Sequence, residues 1–340
     1  MGLETILAIV LLISLTFYAL SGGADFGAGV WHLMARGPTR RDQHRLIGNA
    51  IGPIWEANHV WLILIVTILF TAFPAAYARI STILHIPLTL LVIGIVLRGS
   101  AFAFRHYDVS DDDIHMRWDQ VFAGSSLISP LLLGMILGAM TAGDFPVNPD
   151  GFFESYVSPW LQPFPLMMGI LTLLLFVYLA ATYLLLETPK LQLQEIFRKR
   201  AIMAALLTGL LEETVLLLGK TGAPRLWGEL TNSLWGGIIQ LGIGGLTITA
   251  VWFLITRRYW WARTFAILQV TLTIWAWGFA QFPYLVPPYL TVFNTSAPEI
   301  TLQVIMVALV IGALFLFPSL YYLFRIFKSH ALLGATDRHD

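Results

Sequence analysis

The chain has 340 residues, of which 57% are hydrophobic and only 12% are charged. In an ordinary soluble domain about a quarter of the residues are charged, so this composition excludes one. The formal net charge is zero and the basic residues are scattered, so nothing indicates nucleic-acid binding. The absence of cysteine excludes disulfides, iron–sulfur clusters and thiol chemistry on this chain. The composition indicates an integral membrane protein.

Several apolar stretches, such as residues 166–186 and 300–324, are long enough to span a bilayer as helices, which takes about 20 residues. Backbone polar groups have no water to bind in lipid, and these runs lack the alternation of a membrane barrel. The first stretch is too long for a signal-peptide core and has no basic leader, so we expect it to be retained. The sequence predicts an all-α polytopic membrane protein.

About nine transmembrane helices are predicted in chain order. Gly, Pro and Asn clusters separate them, and no soluble domain fits between them, so residues 1–340 are expected to form one integral membrane domain. Helices one to four and five to eight have similar lengths and orientations, which favours two four-helix bundles plus a ninth helix. The predicted ranges are 6–34, 49–73, 79–104, 119–142, 161–187, 201–218, 232–256, 262–282 and 299–325.

The basic residues predict the orientation. With the amino terminus outside, the inner loops and the tail contain sixteen of the 20 Lys and Arg residues, whereas the outer loops contain three. The remaining one, Arg98, lies within a helix. Basic residues are retained on the cytoplasmic side, so we expect a multi-pass protein of a bacterial-type inner membrane with its carboxyl terminus in the cytoplasm.

The first four helices contain four charged residues where charge is costly, by about 3 kcal/mol each at the bilayer centre. They are Asp25, Glu56, Arg98 and Asp119. By helical rise from the nearest basic residues, the first two lie about 16 Å from the cytoplasmic edge and Arg98 about 10 Å. Asp119 is predicted near the inner surface. The four residues therefore predict a polar path confined to the cytoplasmic half, as in a proton inlet.

An alternative is that Arg98 forms an ion pair with Asp25 or Glu56 that only holds helices together. One arginine cannot neutralise both acids, so a titratable carboxyl suited to proton relay would remain. The glycines around Asp25 have a separate interpretation. Gly23 and Gly27 form a small-xxx-small pattern, which predicts a close helix contact.

Histidines are candidate haem ligands if they project into an apolar pocket. Of the eight, only His59 and His85 are predicted to lie deep in the membrane, and a bis-histidine site between them is the alternative to ordinary hydrogen-bonded histidines. We predict no metal ligand on this chain. Glu212 and Glu213, about 18 Å into the sixth helix, point about 100° apart, so one of them is expected to face a polar pocket or a partner.

These segments resemble a known family. Residues 23–27 (GADFG) are similar to its Gly/Asp-rich signature, and residues 51–62 (IGPIWEANHVWL) to its most distinctive segment. Residues 98–102 (RGSAF), 118–119 (WD), 282–283 (FP) and 294–296 (NTS) recur at the expected places. The chain therefore resembles subunit II of cytochrome bd-type terminal oxidases along its whole length.

The resemblance implies a non-haem subunit of a quinol:oxygen oxidoreductase of the respiratory chain. In that family subunit I carries haems b and d and the quinol site, while subunit II stabilises it and contributes a cytoplasmic proton route for reduction of oxygen to water. Carried onto this chain, Asp25, Glu56 and Asp119 are the proton-transfer acids. Trp55, Asn58 and Arg98 support them. Glu56 stands where some members have aspartate, which leaves the geometry of the relay open.

The implied partners are the haem-bearing subunit I, small single-helix accessory subunits, membrane lipids and, through the complex, a quinol. No cofactor is expected on this chain alone, and whether a structural quinone or lipid binds to it stays open. A secondary transporter shares the many helices and the mid-membrane acids, and is the main alternative. A third interpretation is a membrane scaffold without a proton role.

Overall fold

The computed structural model describes residues 2–51, 55–107, 112–146 and 151–333. These residues form fourteen helices and one short hairpin. The helices are α1 (Leu3–Leu33), α2 (Arg40–Ile51), α3 (Trp55–Ala72), α4 (Pro74–Ile83), α5 (His85–Tyr107), α6 (Asp112–Ala142), α7 (Phe152–Tyr156), α8 (Ser158–Leu161), α9 (Pro163–Leu184), α10 (Leu191–Gly222), α11 (Pro224–Thr231), α12 (Leu234–Ile255), α13 (Tyr259–Gln281) and α14 (Glu299–Leu333).

The all-α prediction is confirmed, apart from one antiparallel hairpin. Its strands are β1 (Tyr284–Val286) and β2 (Leu290–Thr291), and it joins α13 to α14. The sequence pattern did not indicate these strands, because each is only two or three residues long.

The predicted number of nine spans is not confirmed. In the described part of the chain, seven helices are long and apolar enough to cross a membrane, or eight if α2 and α3 count as one bent span. The seven do not include α13, although it has 23 residues, because several tryptophans and glutamines lower its hydropathy. Each predicted range nevertheless overlaps one helix of 18 residues or more.

The long helices pack as two groups of four. In the first group α1 lies against α3 and α6, and α5 lies against α6; in the second, α10 lies against α9 and α12, and α13 against α12 and α9. The groups meet where α9 packs against α1 and α6, and α14 lies along α3 and α1. This arrangement agrees with the predicted two bundles plus one helix.

Glycines allow the two groups to approach closely. A Cβ atom on Gly27 would overlap the backbone of Phe176 in α9, and one on Gly23 would overlap the ring of the same residue. The predicted small-xxx-small contact is therefore confirmed, and its partner helix is α9.

The predicted second helix is interrupted. Residues 40–51 form a separate helix, α2, whose axis is bent by 53° from that of α3. An ion pair of 3.2 Å joins Asp42 of α2 to Lys190, which directly precedes α10. Arg200 of α10 donates a hydrogen bond of 3.2 Å to the carbonyl of Met34, which directly follows α1. We call this side of the molecule, where α1 ends, the His32 end.

Candidate functional site

Asp25 and Asn58 connect α1 to α3. The Nδ2 group of Asn58 donates a hydrogen bond to the Asp25 carboxylate. Asn58 is buried and Asp25 is half-buried. The Asp25 carboxylate therefore lies between α1 and α3 of the first helix group, while Gly23 and Gly27, each two residues away, lie on the opposite face of α1 against α9.

Arg98 lies within the first helix group and is only 2% exposed. Its Nε donates a hydrogen bond of 3.2 Å to Ser126, and its guanidinium lies over the rings of Phe26 and Phe122, 4.6 and 5.2 Å from their centroids. Such cation–π contacts each contribute about 0.5–2 kcal/mol. Its Nη2 is buried and has no hydrogen-bond partner among the described residues.

Arg98 and Asp25 interact electrostatically without touching. The ion pairs of the described residues, which require an N–O distance of 4.0 Å or less, do not include these two side chains. The direct Asp25–Arg98 ion pair, which the sequence left open as an alternative, is therefore not formed. The guanidinium supplies a positive potential near Asp25 but does not hold the carboxylate in a direct contact.

Glu56 lies on a different face of α3 from Asn58. Residues two positions apart in a helix are separated by about 200° around its axis. Because Asn58 faces Asp25, Glu56 points away from it. Its side chain is exposed, and the described hydrogen bonds and ion pairs do not include it. The depth predicted for Glu56 assumed one straight helix from Arg45. The bend between α2 and α3 shows that this assumption does not hold. The side chain of Trp55 lies outside the described residues.

Asp119 lies at the His32 end. Its Oδ1 is 3.4 Å from Nε2 of His32, and the ring of His32 stacks on that of His44 with centroids 3.6 Å apart. Seven residues, or about 10 Å of helical rise, separate Asp119 from Ser126, the hydrogen-bond partner of Arg98. The polar groups therefore run inwards from Asp119 through Arg98 to Asp25.

The bis-histidine alternative is excluded by position. His59 lies near the start of α3, where its ring is 6.4 Å from that of Phe26. His85 begins α5 at the opposite end, is exposed and packs on Tyr156. About 20 Å of helical rise along α3 separates the depth of His59 from that of His85, so one haem iron cannot bind both histidines.

Glu212, one of the two adjacent acids, has polar partners on the neighbouring helix. It accepts hydrogen bonds from Gln269 at 3.2 Å and Thr273 at 2.7 Å, both on α13. It also lines a largely apolar cavity of about 410 Å³, which is enclosed by helices of the second group together with α1 and α6 of the first. Glu213 is exposed at the edge of the same cavity.

The sequence interpretation missed the residues that surround Arg98. Phe122 and Ser126 are four positions apart on α6, so they share a face. This spacing was visible in the sequence, but it did not indicate which buried charge that face would meet. The pairing of His32 with His44 was missed as well, because each histidine taken alone lies near a helix end.

Comparisons with known proteins agree with this fold. A family model described as "Cytochrome bd terminal oxidase subunit II" matches residues 3–327. The "Cytochrome bd ubiquinol oxidase subunit 2" of Bacillus subtilis (strain 168) is 28% identical over 328 residues, which cover 91% of each protein. The "Cytochrome bd-I ubiquinol oxidase subunit 2" of Escherichia coli (strain K12) is 26% identical over 326 residues, which cover 84% of each.

The solved structure of the bd oxidase from Geobacillus thermodenitrificans superposes with a TM-score of 0.81 at 25% sequence identity, and the match covers 96% of this chain and 99% of that one. The family model spans nearly the whole chain, and both relatives match it over most of its length. This chain therefore belongs to the family of subunit II of cytochrome bd terminal oxidases and is a subunit of an oxidoreductase complex.

Proposed function

We propose that this chain is the haem-free subunit II of a quinol:oxygen oxidoreductase in a bacterial-type cytoplasmic membrane. It stabilises the haem-bearing subunit I and contributes a proton route for the reduction of oxygen to water. Haems b and d are carried by the partner, and the His32 end faces the cytoplasm, in line with the distribution of basic residues. Relatives are named for ubiquinol and for menaquinol, so we assign the substrate to the class of quinols without choosing between them.

The observation that carries the proton route is the environment of Asp25. Its carboxylate is oriented by Asn58 and is not in an ion-pair contact with Arg98. A carboxylate locked in an ion pair would exchange protons poorly, whereas one held by a neutral amide beside a fixed positive charge can accept and release a proton. Asp25 therefore serves as the proton-transfer residue, and Asn58 and Arg98 position it.

Glu56 lies at a different point on the proposed route. A carboxyl group on a membrane helix is costly if it faces lipid, by about 3 kcal/mol near the centre. Glu56 is exposed on the isolated chain, so we place subunit I against this face of α3. Protons then pass from Asp25 within this chain to Glu56 at the partner interface. Asp119 is the acid at the cytoplasmic end of this route.

The transporter alternative does not fit the family to which the chain belongs. A transporter would function without a haem subunit, whereas the family members are subunits of an oxidase.

The cavity beside Glu212 has room for a lipid tail or the ring of a quinone, and either would contact mainly apolar side chains there.

Asp25→Asn in the purified complex tests the proposal. This variant retains the volume and hydrogen bonding of the side chain but cannot release a proton, so we expect oxygen reduction to fall by at least about tenfold with haem content unchanged. Proton uptake from the cytoplasmic side of reconstituted vesicles should fall with it. Asp144→Asn, an exposed change at the opposite end, is the matched control and should leave both rates intact. Normal turnover of Asp25→Asn, or a loss of haem that accounts for its lower rate, would contradict the proton role.

A further inference from the structure

Three side chains from different helices converge at the His32 end. His32 is on α1, His44 on α2 and Asp119 on α6, and one potential ligand atom of each lies within 4.8 Å of the other two. The two imidazole rings are stacked at 3.6 Å with an interplanar angle of 21°. His32 and His44 are on consecutive helices joined by a short connection, and the packing of α6 against α1 brings Asp119 to them.

His32 is the centre of this cluster. It is 4% exposed, and neither of its ring nitrogens has a hydrogen-bond partner in the part of the chain that the structure describes. The 3.4 Å approach of its Nε2 to Asp119 lacks hydrogen-bond geometry. A buried polar group without a partner costs about 1–3 kcal/mol, so something that binds the ring nitrogens would stabilise the fold.

His44 has the environment of a metal-binding histidine. Its Nε2 lies 3.2 Å from the backbone carbonyl of His32, to which it can donate a hydrogen bond. A bond of this kind fixes the tautomer and leaves Nδ1 with a free lone pair, as found for many histidines that bind metals. His44 is half-buried, which provides an access path from the surface.

We propose that His32, His44 and Asp119 form a binding site for a divalent transition-metal cation of the Zn²⁺ type. Two imidazoles and one carboxylate, with water as a fourth ligand, match the donors that Zn²⁺ prefers. Tetrahedral coordination places ligand atoms about 3.4 Å apart, which small side-chain rotations can reach from the observed spacing. Mg²⁺ requires mostly oxygen ligands and should not bind. The positive charge of Arg40 lies near His44 and would repel a bound cation. Because Arg40 is exposed, solvent screens this repulsion and it is weak.

The site is independent of the proposed function, and it differs from the sequence-based prediction that this chain has no metal ligand. It is a binding site, and it would exist whether or not Asp25 conducts protons. Its test therefore measures binding and coordination rather than turnover.

The experiment compares Zn²⁺ binding to the purified oxidase complex and to variants by calorimetry, after treatment with a chelator and its removal. We expect His44→Ala to lose one binding site, or to weaken it by at least about 100-fold. His85→Ala removes an exposed histidine from the opposite end and should bind Zn²⁺ as the unchanged complex does. Mg²⁺ added in excess should not displace Zn²⁺.

His44→Cys provides a second, positive test. Thiolate is also a good Zn²⁺ ligand, so this variant should recover the site, and X-ray absorption at the zinc edge should show a new sulfur ligand at about 2.3 Å. The natural chain has no cysteine to contribute such a signal. Equal Zn²⁺ binding by the unchanged complex and His44→Ala would overturn the proposal. If His44→Ala does not assemble, the absence of the sulfur ligand in His44→Cys overturns it.

Discussion

Arg98 shows how a membrane helix accommodates a charge. Burying a charged group costs several kcal/mol unless its surroundings compensate. Two aromatic faces, one serine hydroxyl and the nearby Asp25 carboxylate share that compensation, and one guanidinium nitrogen still lacks a partner among the described residues. We therefore expect Arg98 to act through its positive potential, which reaches Asp25 although the two side chains do not form an ion pair.

Glu56 is the residue whose position differs most from expectation. It is not a neighbour of Asp25, so the two acids can act together only in series. In the complex we expect Glu56→Gln to slow oxygen reduction by at least about tenfold while haem content is preserved, and Glu56→Asp to be milder because it keeps a titratable proton. The double variant Asp25→Asn with Glu56→Gln should be about as slow as the slower single variant, since steps in series are non-additive.

Oxygen consumption and proton uptake in reconstituted vesicles measure this cycle. Glu154→Gln, an exposed change on α7, is the matched control and should behave as the unchanged complex. Additive losses together with poor assembly would show that these acids hold helices together and do not conduct protons.

At the scale of helices, the close crossing of α1 and α9 leaves the opposite face of α1 for Asp25. Gly23 and Gly27 have no side chain to separate the helices, so the backbone of α1 rests against Phe176. The Asp25 carboxylate, two residues from each glycine, is thereby directed to the opposite face of α1, where it meets Asn58 of α3. The position of Glu56 depends instead on the bend between α2 and α3, because this bend changes both the depth and the direction of the side chain.

Gly27→Ala tests the crossing. A methyl group would meet the carbonyl of Phe176, and overpacking of this kind costs about 1–3 kcal/mol. We therefore expect a lower Tm for the purified complex. Gly245→Ala on α12 is the control, since a Cβ atom there meets nothing within 4 Å, and it should be neutral or slightly stabilising. Equal Tm values for the two variants would contradict the close contact.

At the scale of the whole molecule, the two groups of four helices and the additional α14 match a solved bd oxidase over nearly the full chain. The large apolar surface left exposed on α14 and α12 is accounted for by lipid or by partner subunits. His59 and His85, the two histidines predicted to lie deep, are separated by about 20 Å of helical rise along α3, so they offer haem no pair of axial ligands.

Expression of this chain without subunit I tests its haem-free character. We expect a membrane-inserted protein with no haem absorption bands and no quinol oxidase activity. Co-expression with subunit I should restore both, and it is the control for correct insertion. A purified single subunit with stoichiometric haem would contradict the assignment of the haems to the partner.

The fold class, the positions of the long helices and the contact made by Gly23 and Gly27 could be predicted from the sequence. Each depends on information local to one segment: the length of an apolar run, the residues that interrupt it, and the spacing of small residues along one helix face. Asp25, Arg98 and Asp119 could be recognised as charges within or beside apolar helices for the same reason.

The tertiary structure alone decided which of these groups meet. Asp25 lies against Asn58 rather than Glu56, Arg98 against Ser126, and His32 against His44 and Asp119. These contacts depend on how each helix is rotated about its axis and on the 53° bend before α3. Rotation and bending are set by the simultaneous packing of several helices, so no single segment of the sequence contains them.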